Sequence, residues 1–343
     1  MVNNLYIVTP RGFCAGVEMA IKALTWMLKI YDETIYCYHE IVHNDWIVQK
    51  FKNKNVKFIE SPEDLPSGSV LMLSAHGTAP KIEKSFNDIS AIQVNAVCPL
   101  VTKVHHEAKK FTESGKQIIY VGHKNHDEAT GALGVAPNSM HLVEKKEDLK
   151  NINITGGEVA LLAQTTLAMS EWEPIMESAK NIYPNLDMPR KSDLCYATTN
   201  RQEAVINVSP LVDVVIVVGS DTSSNTKALV ATVKNLGKES YRINSTEEIE
   251  ALNLTGKNVA VTAGASAPDH IVQEIIDRLN PTKTEYFENT NETEYFPLPK
   301  QLRSDITSLS NFLLEVFPEN NIDPEKSVNK DKNWTATEAL SSL

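Results

Sequence analysis

Short, almost purely apolar runs recur along the chain and are separated by segments with a helical pattern. Each run is about as long as a typical strand, and its residues are continuously apolar rather than alternating. Continuous apolar runs are typical of strands buried on both faces of a parallel sheet. Amphipathic segments such as AIKALTWMLKIY and HEAKKFTESG lie between them, so the pattern predicts an α/β fold with mostly parallel sheets. The runs are NLYIVT, SVLMLSA, AIQVNAV, QIIYVG, EVALLAQ, DVVIVVGS and NVAVTAG.

Polar residues that can take part in binding or catalysis follow these runs directly. In open α/β sheets, ligands bind beyond the carboxyl ends of the strands. Because parallel strands end at the same edge of a sheet, the pattern predicts that a site is built from the turns at that edge. The turns read SAHGTAP, AVCPLVT, VGHKNHDE, AQTTL, GSDTSSN and AGASAP.

Three of the four cysteines, Cys14, Cys98 and Cys195, each precede a helical segment. A thiol at a helix start is favoured as the thiolate. These cysteines divide the core into roughly equal parts, which indicates three similar α/β units that each donate one ligand to a common metal centre. Zinc usually takes four ligands with close Cys-x-x-Cys pairs, whereas an iron–sulfur cluster with three thiolates leaves one iron open. Both remain possible from the spacing, and Cys37 is predicted to be a packed thiol.

Histidines, hydroxyls and an amide occupy the same turns. Each of them could simply cap a helix or lie at the surface, but as a set they suit a phosphate or diphosphate. Glu128 is the carboxylate with an obvious proton-donor position, although it could equally be a solvated acid at a helix start. The other candidates are His43, His76, His123, His126, Thr165, Thr166, Ser223, Ser224, Asn225 and Ser266.

Length, charge and composition exclude several classes of protein. A chain of 343 residues predicts two or three domains. A net charge of −11 without a dense run of Lys and Arg argues against nucleic acid, and no run approaches the ~20 apolar residues of a membrane span. The chain starts without a signal or transit pattern, and its cysteines are too few for a disulfide scaffold. We therefore expect a cytoplasmic protein with a small-molecule ligand or a small protein partner.

Together these motifs closely resemble the 4-hydroxy-3-methylbut-2-enyl diphosphate reductases, a LytB-type family that completes the methylerythritol phosphate route to isoprenoids. The resemblance covers about residues 5–305, and the motifs are in family order. They include RGFCAGV, EIVHN, SAHG, CPLVTKVH, QTT, CYATTNRQEAV and VTAGASAPD.

The resemblance implies three α/β lobes arranged around a central 4Fe–4S cluster. Cys14, Cys98 and Cys195 fall on the cluster ligands of the family. Glu128 falls on the catalytic acid, and Thr165 on a threonine close to the substrate hydroxyl. His123 matches no ligand position and is expected to have a supporting role. The positions that match the diphosphate-binding set are His43, His76, His126, Ser223, Ser224, Asn225 and Ser266.

The reaction implied is the reductive removal of the substrate hydroxyl, giving isopentenyl and dimethylallyl diphosphate. Glu128, relayed by Thr165, supplies protons, and the substrate's own diphosphate is a candidate acid for the last protonation. No nicotinamide fingerprint is present, so the expected electron donor is a ferredoxin or flavodoxin. Two alternatives stay open: an iron–sulfur sensor that binds a phosphorylated metabolite, and a zinc-dependent hydrolase of a phosphate ester.

The cysteines also set the expected lobe boundaries. Residues 14–97 form the first lobe, 98–194 the second, and 1–13 with 195–305 the third. Residues 306–343 form a C-terminal extension beyond the usual family end, expected to be partly mobile and without an assigned role. Two departures from the family are Glu18-Met19, where many members have Asp-Arg, and NDWIV at 44–48, which could alter the surface met by an electron donor.

Overall fold

The computed structural model describes residues 1–152, 154, 157–316 and 330–343. Residues 317–329 of the predicted extension thus lie outside the described residues. The chain divides into two compact units, which are described separately. Unit 1 comprises Met1–Cys14, Thr78–Pro80 and Leu100–Thr293, and unit 2 comprises Ala15–Gly77, Lys81–Pro99 and Glu294–Leu343.

The helices of the described residues, numbered in chain order, alternate with strands over most of the sequence. The α-helices are α1 (Ala15–Ile30), α2 (Asp45–Lys52), α3 (Pro80–Asn87), α4 (Pro99–Glu113), α5 (Asp127–Leu133), α6 (Met169–Ile182), α7 (Tyr196–Val208), α8 (Ser224–Asn235), α9 (Asp269–Leu279), α10 (Lys300–Val316) and α11 (Ala336–Ser341). Short 3-10 helices span Pro62–Asp64, Lys146–Asn151, Ser209–Leu211, Glu247–Ala251 and Lys330–Asn333.

In unit 1, the larger sheet has five parallel strands. They are β1 (Asn4–Thr9), β9 (Val214–Val218), β10 (Glu239–Ile243), β11 (Val259–Ala263) and β12 (Lys283–Glu288). Their order across the sheet is β10–β9–β11–β1–β12. In this register Ile7 lies opposite Val261 on one side and Tyr286 on the other. The first strand of the chain is therefore enclosed between two of the last strands.

The second sheet of unit 1 has three parallel strands and is covered on both faces. Its strands are β6 (Gln117–Val121), β7 (Met140–Val143) and β8 (Val159–Ala163), in the order β7–β6–β8. Successive strand residues point to opposite faces. Ile119 accordingly packs in a core with Trp172 of α6, whereas Ile118 packs in a core with Val104 of α4. Burial on both faces explains the continuous apolar runs.

Unit 2 contains a four-stranded parallel sheet. Its strands are β2 (Ile35–Tyr38), β3 (Val56–Ile59), β4 (Val70–Leu73) and β5 (Ile92–Asn95), in the order β3–β2–β4–β5. Leu71 and Leu73 pack with Phe86 of α3 on one face. All strand pairs in the three sheets are parallel, which confirms the predicted α/β class.

The three sheets lie within the three predicted lobes, although the lobe boundaries themselves stay a prediction. β2 to β5 fall inside 14–97 and β6 to β8 inside 98–194. The five strands of the larger sheet fall inside 1–13 and 195–305. Within the described part of the chain, none of the helices is both long enough and apolar enough to cross a membrane.

The last residues of the chain, 330–343, pack on helix α1 of unit 2. The Lys22 ammonium of α1 lies 3.5 Å from Oδ1 of Asp331 and donates to the Asp331 carbonyl oxygen at 3.0 Å. Both side chains of this ion pair are at most 3% exposed. The Tyr295 hydroxyl donates to the other carboxylate oxygen of Asp331 at 2.7 Å. The buried charge of Asp331 thus has both a cation and a neutral donor.

Two further contacts fasten the same segment. The carboxylate of Glu18 accepts the backbone N–H of Ala336, the first residue of α11, at 2.7 Å. The indole rings of Trp26 and Trp334 meet edge to face with centroids 5.7 Å apart. Glu18, one of the two departures noted in the sequence, is therefore used to hold the C-terminal segment.

Candidate active site

A buried carboxylate and a threonine form the centre of the candidate site in unit 1. Glu128 lies in the first turn of α5, and Thr165 lies just beyond the end of β8. The Thr165 backbone N–H donates to one carboxylate oxygen of Glu128 at 2.6 Å, and its hydroxyl donates to the other at 3.1 Å. Both side chains are almost fully buried. The alternative that Glu128 is a solvated helix-start acid is therefore wrong, because its carboxylate is enclosed.

Burial makes Glu128 a weak acid. Removal from water disfavours the charged carboxylate and raises the pKa of Glu128 to about 7. The two donors of Thr165 lower the pKa, and the negative charge of Asp193 raises it further. At neutral pH this carboxyl can therefore both hold and release a proton.

The backbone of Cys195 is hydrogen-bonded to the backbone of Thr165. Its backbone N–H donates to the Thr165 carbonyl oxygen at 3.0 Å. Cys195 is the N-cap of α7, and its Sγ accepts the backbone N–H of Thr198 at 3.3 Å. Although the helix-start hydrogen bonds of Thr198 favour the thiolate, as expected from the sequence, burial and then the charge of Cys14 outweigh them and raise the pKa of Cys195 to about 12. Cys14 follows β1, and its N–H donates to the Ala265 carbonyl oxygen in the turn after β11 at 3.1 Å.

The amide of Asn225 links the turns after β9 and β11 to the cysteine helix. Its Oδ1 accepts the N–H of Ala265 at 2.9 Å, and its Nδ2 donates to Oγ1 of Thr198 at 3.2 Å. Ser266 follows Ala265 directly and is also buried. The structure therefore brings Asn225 and Ser266 to the same edge of the larger sheet as Cys14.

The two serines of this region differ in their hydrogen bonds. Ser223 is the N-cap of α8, and its Oγ accepts the N–H of Thr226 at 3.3 Å, as the capping alternative predicts. Ser224 lies in the first turn, and its Oγ accepts from Nε2 of Gln164 at 3.1 Å. Gln164 was not singled out from the sequence, although it lies in the QTT motif and its Oε1 accepts the N–H of His123 at 3.0 Å. Gln164 connects the ends of β6 and β8 to α8.

The histidines of unit 1 occupy different positions. His126 is the N-cap of α5, and its Nδ1 accepts the N–H of Glu128 at 3.2 Å. Nε2 of His123 lies 3.3 Å from a carboxylate oxygen of Glu171, and this contact is the main reason that the pKa of His123 is raised. His126 is thus adjacent to the acid, while His123 pairs with a helix carboxylate.

Unit 2 holds the remaining candidates at the carboxyl edge of its own sheet. The imidazole rings of His43 and His76 are stacked, with centroids 3.9 Å apart and planes 16° from parallel. The Cys98 N–H donates at 3.0 Å to the carbonyl oxygen of Ala75, the residue before His76. Cys37 lies within β2 and is fully buried, which agrees with its prediction as a packed thiol.

The family model described as LytB protein matches residues 5–280 of this chain. The chain belongs to the LytB protein family. It is 38% identical over 310 residues to a 4-hydroxy-3-methylbut-2-enyl diphosphate reductase of Rhodopirellula baltica, covering 88% of this chain and 96% of that protein. It is 40% identical over 308 residues to 4-hydroxy-3-methylbut-2-enyl diphosphate reductase 2 of Burkholderia mallei, covering 87% of this chain and 93% of the relative.

A solved LytB relative has the same fold. The structure of the E-1-hydroxy-2-methyl-but-2-enyl-4-diphosphate reductase from Plasmodium falciparum superposes with a TM-score of 0.87 at 33% identity. It covers 90% of this chain and 99% of its own. The family resemblance predicted from the sequence motifs is thereby confirmed.

One fully buried and one partly buried cation of this LytB chain were not predicted from the sequence. Arg201 of α7 is fully buried; its guanidinium donates to the Gly12 carbonyl oxygen at 2.9 Å and to the Glu292 carboxylate at 2.9 Å. Lys103 of α4 lies 3.0 Å from a carboxylate oxygen of Asp193. Both cations are inside quoted motifs, CYATTNRQEAV and CPLVTKVH, but a charged residue on a helix is usually solvated.

The donor chemistry of this LytB chain fits an iron–sulfur cluster. All four cysteines are described, and none of them forms a disulfide. Cys14, Cys98 and Cys195 are half-buried, whereas Cys37 is not accessible. The charge of Cys14 raises the pKa of the Cys195 thiol, so two thiolates there are disfavoured until a cation shares their charge. A sulfur-binding metal centre supplies such a cation.

Proposed function

We propose that this chain catalyses the reductive dehydroxylation of 4-hydroxy-3-methylbut-2-enyl diphosphate to isopentenyl and dimethylallyl diphosphate, the last step of the methylerythritol phosphate route. Membership of the LytB family and the names of its curated relatives support this activity. We assign Cys14, Cys98 and Cys195 as the ligands of a 4Fe–4S cluster. When bound, this cluster would supply the electrons singly, together with a Lewis-acidic iron that has no protein ligand.

The buried pair of Glu128 and Thr165 is the observation that carries this proposal. A carboxyl with a pKa of about 7 is matched to proton transfer at neutral pH. Its partner Thr165 is hydrogen-bonded through its backbone to Cys195, one of the proposed ligands. A phosphate-responsive iron–sulfur sensor would have no need for a buried proton donor beside the cysteine, so the pair favours an enzyme over this alternative.

The proton balance of the reaction defines the role of this pair. In each turnover the substrate C–O bond to the hydroxyl breaks, two electrons and two protons are taken up, and water leaves. Glu128 donates a proton through the Thr165 hydroxyl to the departing oxygen, since this hydroxyl can accept from Glu128 while it donates onward. The second proton goes to carbon, and the diphosphate of the substrate itself is our candidate donor.

Neutral donors are proposed to bind the diphosphate. Ser224 and Asn225 lie in the first turn of α8, where backbone N–H groups also favour an anion. The full set that we assign to the substrate is His43, His76, His126, Thr165, Ser223, Ser224, Asn225 and Ser266. We further propose a cytoplasmic location and a ferredoxin or flavodoxin as the electron donor.

Turnover of the hydroxylated prenyl diphosphate with a reduced dye, under anoxic conditions, tests this function. Wild type should bind iron and sulfide and form both products. Glu128→Gln should retain iron and sulfide but lose at least about 100-fold in kcat, because the proton donor is gone. Glu113→Gln, an exposed change on α4, is the matched control and should retain activity.

Each rival function has a distinct result in the same experiment. A Glu128→Gln enzyme that remains active would contradict the assignment of Glu128 as the proton donor. Wild type that binds iron and sulfide but has no turnover would favour the sensor. Zinc without sulfide in the anoxically purified protein would favour the phosphate-ester hydrolase.

A further inference from the structure

All three donors of the Lys103 ammonium are used on the loop that leads to Cys195. They reach the carbonyl oxygens of Lys191 at 2.8 Å and Ser192 at 3.0 Å, and Oδ1 of Asp193 at 3.0 Å. An ammonium has three N–H donors, and each of them has a partner here. A single side chain thus fixes three consecutive residues, the last of which lies two positions before Cys195.

Asp193 connects the same loop to β8, the strand that Thr165 follows. Its side chain is 2% exposed, and its Oδ2 accepts the N–H of Ala163, the last residue of β8, at 3.0 Å. Thr165, two residues further on, accepts the N–H of Cys195 through its carbonyl oxygen. The loop is therefore hydrogen-bonded to the end of β8 at Asp193 and again at Cys195.

This loop has little regular secondary structure. Between the end of α6 at Ile182 and the start of α7 at Tyr196, the described backbone forms no helix and no strand of a sheet. Its one ladder contact is an isolated parallel bridge between Ala160 and Asp187. Fixing such a segment costs conformational entropy, and ligands that are fixed before a metal arrives bind it more favourably.

We propose that Lys103 is a positioning residue that holds the Cys195 loop in its ligand-ready arrangement before the cluster is inserted. The ligand role of Cys195 rests on the proposed function, whereas the restraint of the loop by Lys103 does not. The charge also suits the site: Asp193 is buried, and Glu107 Oε2 lies 3.6 Å from the same ammonium. Lys103 therefore balances two carboxylates while its hydrogen bonds shape the backbone.

The test measures cysteine accessibility in the metal-free full-length protein. Wild type, Lys103→Met and the control Lys109→Met are treated with iodoacetamide under reducing, anoxic conditions, and peptide mass spectrometry gives the rate at each cysteine. Lys109 lies on the same helix with its side chain 68% exposed. Lys103→Met should speed alkylation of Cys195 about tenfold and leave Cys14 and Cys98 within about twofold. Lys109→Met should match wild type at every cysteine.

A second variant separates position from charge. Lys103→Met leaves Asp193 buried without its cation, which can prevent folding. Lys103→Met/Asp193→Asn removes both charges, keeps an oxygen for the Ala163 N–H, and should again speed alkylation of Cys195. A purely electrostatic effect of losing Lys103 has the opposite sign, because loss of a nearby positive charge disfavours the reactive thiolate.

Reconstitution with iron and sulfide links the restraint to the metal centre. Wild type and Lys109→Met should regain the same visible absorption and iron content, and both Lys103 variants should regain about tenfold less iron at limiting iron concentration. Unchanged alkylation of Cys195, or equal acceleration at Cys14 and Cys98, would overturn the role of Lys103. If wild type itself takes up neither iron nor sulfide, the cluster assignment fails, and the alkylation rates alone still decide whether Lys103 fixes the loop.

Discussion

The acidity of Glu128 is set by its surroundings at the scale of a single residue. Its carboxyl is enclosed between α5 and the end of β8, and Thr165 donates to both of its oxygens. Enclosure has the larger effect on the pKa, since the net shift is upward despite these donors. The same residue at the surface of a helix would be ionised at neutral pH and could not serve as an acid.

The pKa of Glu128 predicts how activity depends on pH. Because the protonated form is the proposed catalytic acid, kcat/KM should fall on the alkaline side with a midpoint near pH 7. Initial rates measured anoxically between pH 5.5 and about 9 check this limb. The control variant Glu113→Gln should show the same limb, and a rate that stays level through pH 8 would contradict the assignment.

The same shift has a consequence for stability. The folded-state pKa of Glu128 is raised above 4.5, so folding favours the protonated carboxyl. The stabilising contribution is fully present below pH 4.5 and is lost as pH rises to about 7. A shift of this size corresponds to about 3 kcal/mol. The buried acid therefore destabilises the metal-free protein at alkaline pH.

Single residues also show what the sequence could reveal of the site. Cys14, Glu128 and Thr165 stood out because they follow apolar strand runs, at the strand ends where ligands bind in α/β sheets. Lys103 and Arg201 did not stand out, because a cation on an amphipathic helix has the same pattern whether it is solvated or buried. Only the fold shows that these two cations donate to backbone carbonyl oxygens of the cysteine loops.

At the scale of elements, the strands differ in how well the sequence predicts them. All seven apolar runs form strands, and five of these strands, β4, β6, β8, β9 and β11, are almost fully buried. Five strands, namely β2, β3, β7, β10 and β12, were not among these runs, and all of them except β2 lie at the edge of a sheet. An edge strand has one neighbour and more exposed side chains, so its sequence is mixed; KTEYFE of β12 is an example.

The packing of the C-terminal segment on α1 predicts a stability effect. Asp331→Ala removes the nearer of the two carboxylates beside the buried Lys22 ammonium and leaves only Glu18 Oε2, at 3.9 Å, which should cost about 3 kcal/mol in the local stability of unit 2. Hydrogen exchange of α1 amides measures this loss as an increase of roughly 100-fold in rate. Lys332→Ala, an exposed change in the same segment, is the control.

A paired substitution distinguishes the ion pair from the segment as a whole. Lys22→Met/Asp331→Leu removes both charges together and should restore much of the protection of α1, since apolar side chains can replace a buried ion pair. If Asp331→Ala exchanges at the wild-type rate, the segment does not stabilise α1.

At the scale of the whole molecule, metal binding should raise thermal stability. A group that binds only the folded chain stabilises it by mass action. Reconstitution with iron and sulfide is therefore expected to raise the Tm of wild type by about 5 °C. Cys195→Ser should lose this rise, whereas Cys37→Ala should keep it, because Cys37 is enclosed in β2. A rise in Cys195→Ser equal to that of wild type would contradict the ligand set.

The position of β1 has a consequence for synthesis of the protein. β1 is translated first, but its neighbours β11 and β12 end at Ala263 and Glu288. The carbonyl oxygen that accepts the Cys14 N–H also belongs to a late residue, Ala265. At about 5–20 residues per second, a ribosome needs roughly 15–60 s to produce these partners. Throughout that interval the fold cannot protect the first cysteine, so its protection depends on factors outside the chain.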